Sequence, residues 1–521
     1  MRRHQPILAT AALTLLAACQ TAPNVSKPVA GESRPKLDAI QTIVVIYAEN
    51  RAFDHLYGTF PGANGLQNLK PEQYLQRDRD GSVLESLPPV PGSGLTDPSD
   101  PKQITTEATR GHPNRPFALD DPKGYGVGFD YKLHDLIHAF YNNQMQINGG
   151  KNDRFAAYSD AGGQVMGHFD GSKMALWKVA KKYTLADNFF QGAFGSSFLN
   201  HQYLICACAP FDFKTKADPK TYASNISIVN DDGVSLTLDP KNPASALDGP
   251  PKYARYGTLT PDYYAVNTMQ PPYQPSGNTA AKGGDPRFAD ADKRNTLSPQ
   301  VAETIGDRLS AANVSWAWYS GAWQVALDES KELARIAFQY HHQPFNYYAN
   351  YAPGKAERAE HLRDGGLDGV KLLADIDAGK LPQVTFYKPQ GSLNQHAGYA
   401  TISAGDAHLA EVIAHLEKSP QWKSMLVILT YDENGGWWDH VAPPKGDRWG
   451  PGNRIPAMVI SPYAKRGYVD HTQYDTGSIQ RLIDRRFGLK PLPGIDQRDA
   501  ALKAGGAAPM GDLTAALDLP R

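Results

Sequence analysis

Cysteine is almost missing from this chain: three in 521 residues, at positions 19, 206 and 208. That excludes a disulfide framework and leaves too few thiols for a cysteine metal centre. Cys206 and Cys208 stand one residue apart, a spacing that strains an ordinary disulfide, and they read as two small buried residues. Surplus positive charge is also missing. Lys and Arg number 53 against 54 Asp and Glu, a net charge of −1, which excludes a nucleic-acid binder held by a basic surface. Beyond the first twenty residues no apolar run is long enough to span a bilayer. What is present is a globular composition, 21% charged and 41% hydrophobic, too apolar for disorder. Proline (40), glycine (47) and tyrosine (26) are plentiful, which suits long ordered loops on a rigid scaffold.

The start of the chain reads as a targeting signal. Arg2 and Arg3 precede an apolar stretch from Ile7 to Leu16 that is too short for a stable membrane span. Leu16-Ala17-Ala18-Cys19 resembles a bacterial lipobox. It implies removal of residues 1–18 and lipidation of Cys19, hence an exported lipoprotein of the periplasm or outer membrane. An ordinary secretory signal cut after a small residue is the alternative. Residues 19–38, rich in Ala, Pro, Ser and Lys, read as a flexible tether.

Two stretches look like copies of each other. Residues 43–50 run Ile-Val-Val-Ile-Tyr-Ala-Glu-Asn and lead to Phe53-Asp54-His55. Residues 426–434 run Leu-Val-Ile-Leu-Thr-Tyr-Asp-Glu-Asn and lead to Trp438-Asp439-His440. Each begins as an apolar run without helical period, the mark of a strand buried on both faces of a parallel sheet. Each ends in carboxylate and amide side chains, and ligands of open α/β sheets sit beyond the carboxyl ends of strands. Side by side, those ends gather Glu49, Asn50, Asp432 and Glu433. Three acids in one cluster repel unless a cation or a proton lies between them, so one divalent metal ion is expected there. The plainer reading is that each acid caps its own turn.

Between these strands the pattern alternates. Helices are expected over 133–147, 172–182, 298–309, 406–417 and 476–487, and strands over 184–186, 314–319, 383–387 and 457–460. Ser298-Pro299 supplies a cap and first turn for the third helix. Alternating strands and helices favour an α/β fold with a doubly wound, mostly parallel sheet flanked by helices. The catalytic domain is expected over 39–500, followed by an Ala- and Gly-rich tail at 501–521. Residues 61–131 and 209–295 have poor periodicity and read as long insertions forming a smaller lid region. Gly195-Ser196-Ser197-Phe198-Leu199-Asn200-His201 is a glycine turn opening a helix. It puts Ser197 near free backbone N–H groups that favour anions, though a serine after glycine is also a common helix cap.

With His341-His342-Gln343-Pro344-Phe345 and Asn394-Gln395-His396 added to these motifs, the chain resembles the bacterial phosphoesterase family of phospholipases C and respiratory-burst-inhibiting acid phosphatases. That family has an alkaline-phosphatase-like core, and the resemblance runs from about residue 40 to about 490. It implies metal ligation by Glu49, Asn50, Asp432 and Glu433, a nucleophile at Ser197, and a phosphate pocket lined by His112, His342 and His396, with His341 able to exchange with His342. His440 is a structural residue in this reading. Phospholipase C members usually carry Gly-Pro-Thr at the nucleophile turn. Gly195-Ser196-Ser197 looks like the acid phosphatase branch. The resemblance thus implies an exported acid phosphatase that cleaves phosphomonoesters through a phosphoseryl intermediate. Phospholipase C is the first alternative and an inactive lipid-anchored binding protein the second. A sulfatase lacks support, since its Cys/Ser-x-Pro/Ala-x-Arg motif is absent from the turn.

Overall fold

A computed structural model describes residues 37–91, 102–328 and 333–519. The expected leader, Cys19 and most of the tether lie outside the described residues. No helix among the described residues is long and apolar enough to cross a membrane.

The two copied stretches form the centre of the fold. Strands β1 (Thr42–Ala48) and β6 (Met425–Tyr431) pair in parallel over their full length, from Thr42 opposite Met425 to Ala48 opposite Tyr431. Every residue of both strands is buried, which is why both read as apolar runs without alternation. The other strands of the sheet are β2 (Thr184–Ala186), β3 (Trp316–Gly321), β4 (Leu362–Gly366), β5 (Val384–Lys388), β7 (Ala457–Ile460) and β8 (Tyr468–Asp470). The order across the eight-stranded sheet is β8-β2-β7-β6-β1-β5-β3-β4. β7 runs antiparallel to both its neighbours, β6 and β2. All other pairings are parallel. The fold is therefore α/β with a mostly parallel sheet, as the alternating pattern implies.

The main helices are α1 (Phe140–Ile147), α2 (Ala175–Lys182), α3 (Ser197–Cys206), α4 (Val370–Asp377), α5 (Ile402–Lys418), α6 (Gly477–Phe487) and α7 (Pro493–Ala504). α5 packs on α2 and α4, and α6 packs on α3. α5 is capped by Thr401, whose side chain accepts from the Ala404 amide, as N-cap residues do.

Three expectations need correction. The helix expected over 133–147 begins only at Phe140, because the Ile137 amide is taken by the Asp160 side chain at 2.8 Å. Leu133 and Leu136 are buried all the same, in a segment without helix. The helix expected from Ser298 starts at Ile305 instead. Thr304 and Asp307 form a reciprocal capping box there, while the Ser298 hydroxyl donates to Asp212 at 2.8 Å. Finally, Cys206 and Cys208 are bonded as a disulfide with their Cα atoms 5.1 Å apart, within the ordinary range. Ala207 between them is left-handed (φ 49°, ψ 36°), and that turn brings the two sulfurs to the same side.

Candidate active site

The register of β1 against β6 brings the two acidic ends together. The Asp432 amide donates to the Ala48 carbonyl at 3.1 Å, so the chains leave the sheet side by side. Asn50 follows in a left-handed conformation (φ 59°), which asparagine tolerates better than most residues. Its amide donates to Asp432 Oδ1 at 3.0 Å, and the Glu433 amide donates to the same oxygen at 2.8 Å. Glu49, Asp432 and Glu433 are wholly buried and Asn50 nearly so.

Helix α3 brings Ser197 to this cluster. The turn before it is held by Asn200, whose Oδ1 accepts from the Ala193 amide at 2.9 Å and whose Nδ2 donates to the carbonyls of Ala193 and Ser196. Gly195 has φ +60°, and a Cβ there would meet the Ala139 carbonyl carbon at 2.3 Å, so only glycine fits. The two serines face different ways. Ser196 Oγ donates to the Val266 carbonyl at 3.0 Å. Ser197 Oγ lies 3.2 Å from Glu49 Oε2, 3.1 Å from Asn50 Oδ1 and 3.0 Å from Glu433 Oε1.

The electrostatics of the cluster ask for a cation. Burial, then the charge of Glu49, pushes the Asp432 carboxyl up to about 8. Burial also raises Glu433, with Asp432 adding to the effect against the opposing pull of His138. Asp432 Oδ2 is buried with no hydrogen-bond partner, a costly state for a carboxylate. A divalent ion fits this donor set. Glu49, Asn50, Asp432 and Glu433 would hold it with hard oxygen atoms, and Ser197 Oγ is within reach of three of them. The Asn50 amide has two orientations with different meanings. With Oδ1 toward Ser197 it adds a further oxygen to the cluster. Turned over, Nδ2 donates to Glu49 Oε2 at 2.8 Å and Oδ1 accepts from His396 at 2.8 Å.

Positive and potentially positive groups ring the acids. Lys388, the last residue of β5, is wholly buried with Nζ 2.6 Å from Glu49 Oε1 and 3.2 Å from the Ala48 carbonyl. His342 Nε2 is also 2.6 Å from Glu49 Oε1. His341 packs edge-on against both His342 and His201. His396 meets the edge of His138 at 5.7 Å. His138 Nε2 is 3.4 Å from Glu433 Oε1, and Nδ1 is 3.5 Å from Asp135. Burial pulls the His138 pKa down, but the Glu433 and Asp135 charges outweigh it, and the value stands at about 9.

Of the residues read from sequence, the structure brings together Glu49, Asn50, Asp432, Glu433, Ser197, His342 and His396. It does not bring His112 to them. That ring packs on Phe117 and Tyr125 at 5.0 and 5.6 Å. The histidine that stands beside Glu433 and Asn50 is His138, not His112. Reasoning from sequence misses His138, His201 and Lys388. His201 is legible there: it lies four residues after Ser197, hence on the same helix face. Its Nδ1 is 2.7 Å from the Ser197 carbonyl, and Nε2 is 4.0 Å from Glu49.

The second halves of the copied stretches also meet, as a buried ion network. Arg454 donates to Asp439 at 3.1 Å and to Asp54 at 2.9 Å. His440 Nδ1 lies 2.6 Å from Asp54, and the Asp54 amide donates to Asp439 Oδ2 at 3.1 Å. Arg454 and His440 together face these two acids, and the network ties the two site loops together.

Relatives with known names share this chain's sequence at low identity. The non-hemolytic phospholipase C of Burkholderia pseudomallei is 25% identical over 480 residues, covering 86% of this chain. This chain spans only 55% of that relative's length. Phospholipase C B of Mycobacterium tuberculosis is 23% identical over 510 residues, covering 91% of this chain and 78% of its own. A solved structure of an alkaline phosphatase superfamily protein from Vibrio parahaemolyticus aligns with 65% of each chain at 9% identity and a TM-score of 0.31. The family model described as "Phosphoesterase family" matches residues 40–490, and the chain belongs to that family.

Proposed function

We propose that this chain is a metal-dependent phosphoric ester hydrolase, an acid phosphatase that cleaves phosphomonoesters through a phosphoseryl intermediate. The observation that carries this reading is the position of Ser197. Its hydroxyl sits at the start of a buried helix, within 3.2 Å of Glu49, Asn50 and Glu433. A divalent cation held by Glu49, Asn50, Asp432 and Glu433 supplies charge neutralisation and favours the ionised serine. Glu433 Oε1, 3.0 Å away, accepts the hydroxyl hydrogen. Ser197 Oγ forms the bond to phosphorus while the ester oxygen leaves in line. The leaving alkoxide takes a proton from a pocket histidine, drawn from His138, His342 and His396, and the other rings orient the phosphoryl oxygens. Water then attacks the phosphorus and gives a proton back to that histidine, the Ser197 Oγ–phosphorus bond breaks, Glu433 returns its proton to Oγ, and phosphate is released. Lys388 keeps Glu49 fixed with one oxygen engaged.

The second reading, phospholipase C acting on phosphatidylcholine-type phosphodiesters, is favoured by the names of the relatives. One activity panel separates the two. An aryl phosphate, an aryl phosphodiester and phosphatidylcholine vesicles are assayed from pH 4 to 8, with and without chelator. Fastest turnover of the aryl phosphate, abolished by chelator, supports the phosphatase. Preference for phosphatidylcholine establishes the second reading, and no turnover of any of the three supports an inactive binding protein. We also propose that lipidation of Cys19 anchors the exported enzyme to a membrane.

A further inference from the structure

The Cys206–Cys208 disulfide lies at the opposite end of the helix that carries Ser197. It closes a loop with one residue between the cysteines. Such a loop hardly restrains the unfolded chain, so the bond contributes little as a staple. Its setting points elsewhere. Cys206 and Ala207 are 2% exposed, whereas Cys208 is only partly buried. The pair lines a cavity of about 360 Å³ whose walls include Tyr264, Glu303, Trp449 and Gln497, so an outside thiol has a path to one sulfur.

The same corner seats the C-terminal helix. Gly494, in the first turn of α7, lies so close to Ala207 that a Cβ there would fall 1.8 Å from the Ala207 carbonyl oxygen. The seat therefore depends on the left-handed turn at Ala207, which the disulfide brackets. One turn further on, the buried Arg498 of α7 donates to the Gly192 carbonyl at 2.8 Å, to Asp447 at 2.8 Å and to Asp475 at 3.0 Å. It also reaches Tyr203 Oη of α3 at 3.1 Å. Gly192 opens the turn that leads to Ser197. A continuous line of contacts thus runs from the disulfide through α7 to the nucleophile turn.

We propose that Cys206–Cys208 is a thiol-exchange site, opened by a small dithiol through this cavity, and that its opening releases the seat of α7 and slackens the turn carrying Ser197. The exchange balances as a two-electron reduction. A thiolate of the dithiol attacks Sγ of Cys208, the Cys206–Cys208 bond breaks, and Cys206 leaves and takes up a proton. In the disulfide form Cys206 Sγ lies 3.3 Å from the Cys208 carbonyl oxygen, an acceptor beside the thiol so formed. The second thiol of the reagent resolves the mixed disulfide, leaving two protein thiols and an oxidised cyclic reagent. The effect on turnover rests on the phosphoesterase reading. The exchange itself does not.

The test uses the full-length Cys19→Ser protein, so that only this pair can supply thiols, with dithiothreitol as the dithiol. Free thiols are titrated without denaturant, the melting temperature is followed in parallel, and aryl phosphate turnover is measured before reduction, after it and after reoxidation. The expected result is two thiols per chain released from the folded protein, a melting temperature several degrees lower, and a several-fold loss of turnover that reverses on reoxidation. A Cys206→Ala/Cys208→Ala variant is expected to ignore dithiothreitol, which separates exchange from metal chelation by the reagent. Thiols that appear only on unfolding overturn the exchange site. Thiols released with unchanged melting and unchanged turnover overturn the link to α7 and Ser197. Absence of turnover in the oxidised protein counts against the phosphoesterase reading, and the thiol count and melting shift then decide the exchange by themselves.

Discussion

Lys388 Nζ stands 2.6 Å from Glu49 Oε1, with both side chains wholly buried at the carboxyl ends of adjacent strands. Removing one member of such a pair leaves the other charge buried without compensation. Lys388→Met is expected to destabilise the metal-free protein by about 3–5 kcal/mol, measured by urea unfolding. A loss of less than roughly 1 kcal/mol contradicts the role given to this lysine.

Asp432 gives the opposite sign. It is crowded by Glu49 and Glu433, with one oxygen unpartnered. Asp432→Asn is expected to stabilise the metal-free protein by on the order of 1 kcal/mol, while metal content falls by at least about tenfold, the consequence of losing one charged ligand. Elemental analysis of dialysed protein reads the second effect. Unchanged metal content in the variant removes Asp432 from the site.

The Asp54–His440 contact predicts a pH dependence. Burial pulls His440 down, but Asp54 beside it outweighs burial and holds it above its ordinary value. A raised histidine stabilises fully below its unfolded pKa of about 6.5 and loses that contribution as pH rises through the folded value. Burial pushes Asp54 up, and Arg454 with His440 overcomes it and holds the carboxyl below its ordinary value. Its contribution is lost only as pH falls through that lower value. Melting temperature is therefore expected to fall more from pH 6 to 9 in wild type than in His440→Gln. Parallel curves contradict the assignment.

How far the sequence reveals this arrangement depends on what each residue does locally. β1 and β6 are legible because strands buried on both faces have no polar positions to interrupt them. Ser197, Glu49, Asn50, Asp432 and Glu433 are legible because each sits at the junction of an apolar element and a polar turn. His138 is hidden by a false helix. Leu133 and Leu136 are buried by the loops around them, and their spacing imitates a helical face. Lys388 reads as the ordinary polar end of a strand, and its burial follows only from the register of β5 beside β1. The capping box Thr304–Asp307 is in plain view, but Ser298-Pro299 offers a competing start. The Cys206–Cys208 bond depends on a left-handed alanine, for which sequence gives no signal.

Cys19 lies outside the described residues, so the anchor is tested in cells. Wild type is expected in the membrane fraction and Cys19→Ser in the soluble exported fraction, because losing the acyl chains removes most of the membrane affinity. Equal partitioning of the two proteins removes the lipid anchor from the account.

Ser197 and Ser196 are neighbours that face different partners, and aryl phosphate turnover by the two single alanine variants tests the central claim. Each is measured at mildly acid pH with divalent metal present, after circular dichroism shows it folded. Ser197→Ala is expected to lose at least about 10³-fold in turnover, the scale of a missing nucleophile. Ser196→Ala, whose hydroxyl bonds the Val266 carbonyl, is expected to stay within about tenfold of wild type. A Ser197→Ala protein that keeps its turnover contradicts the covalent serine mechanism.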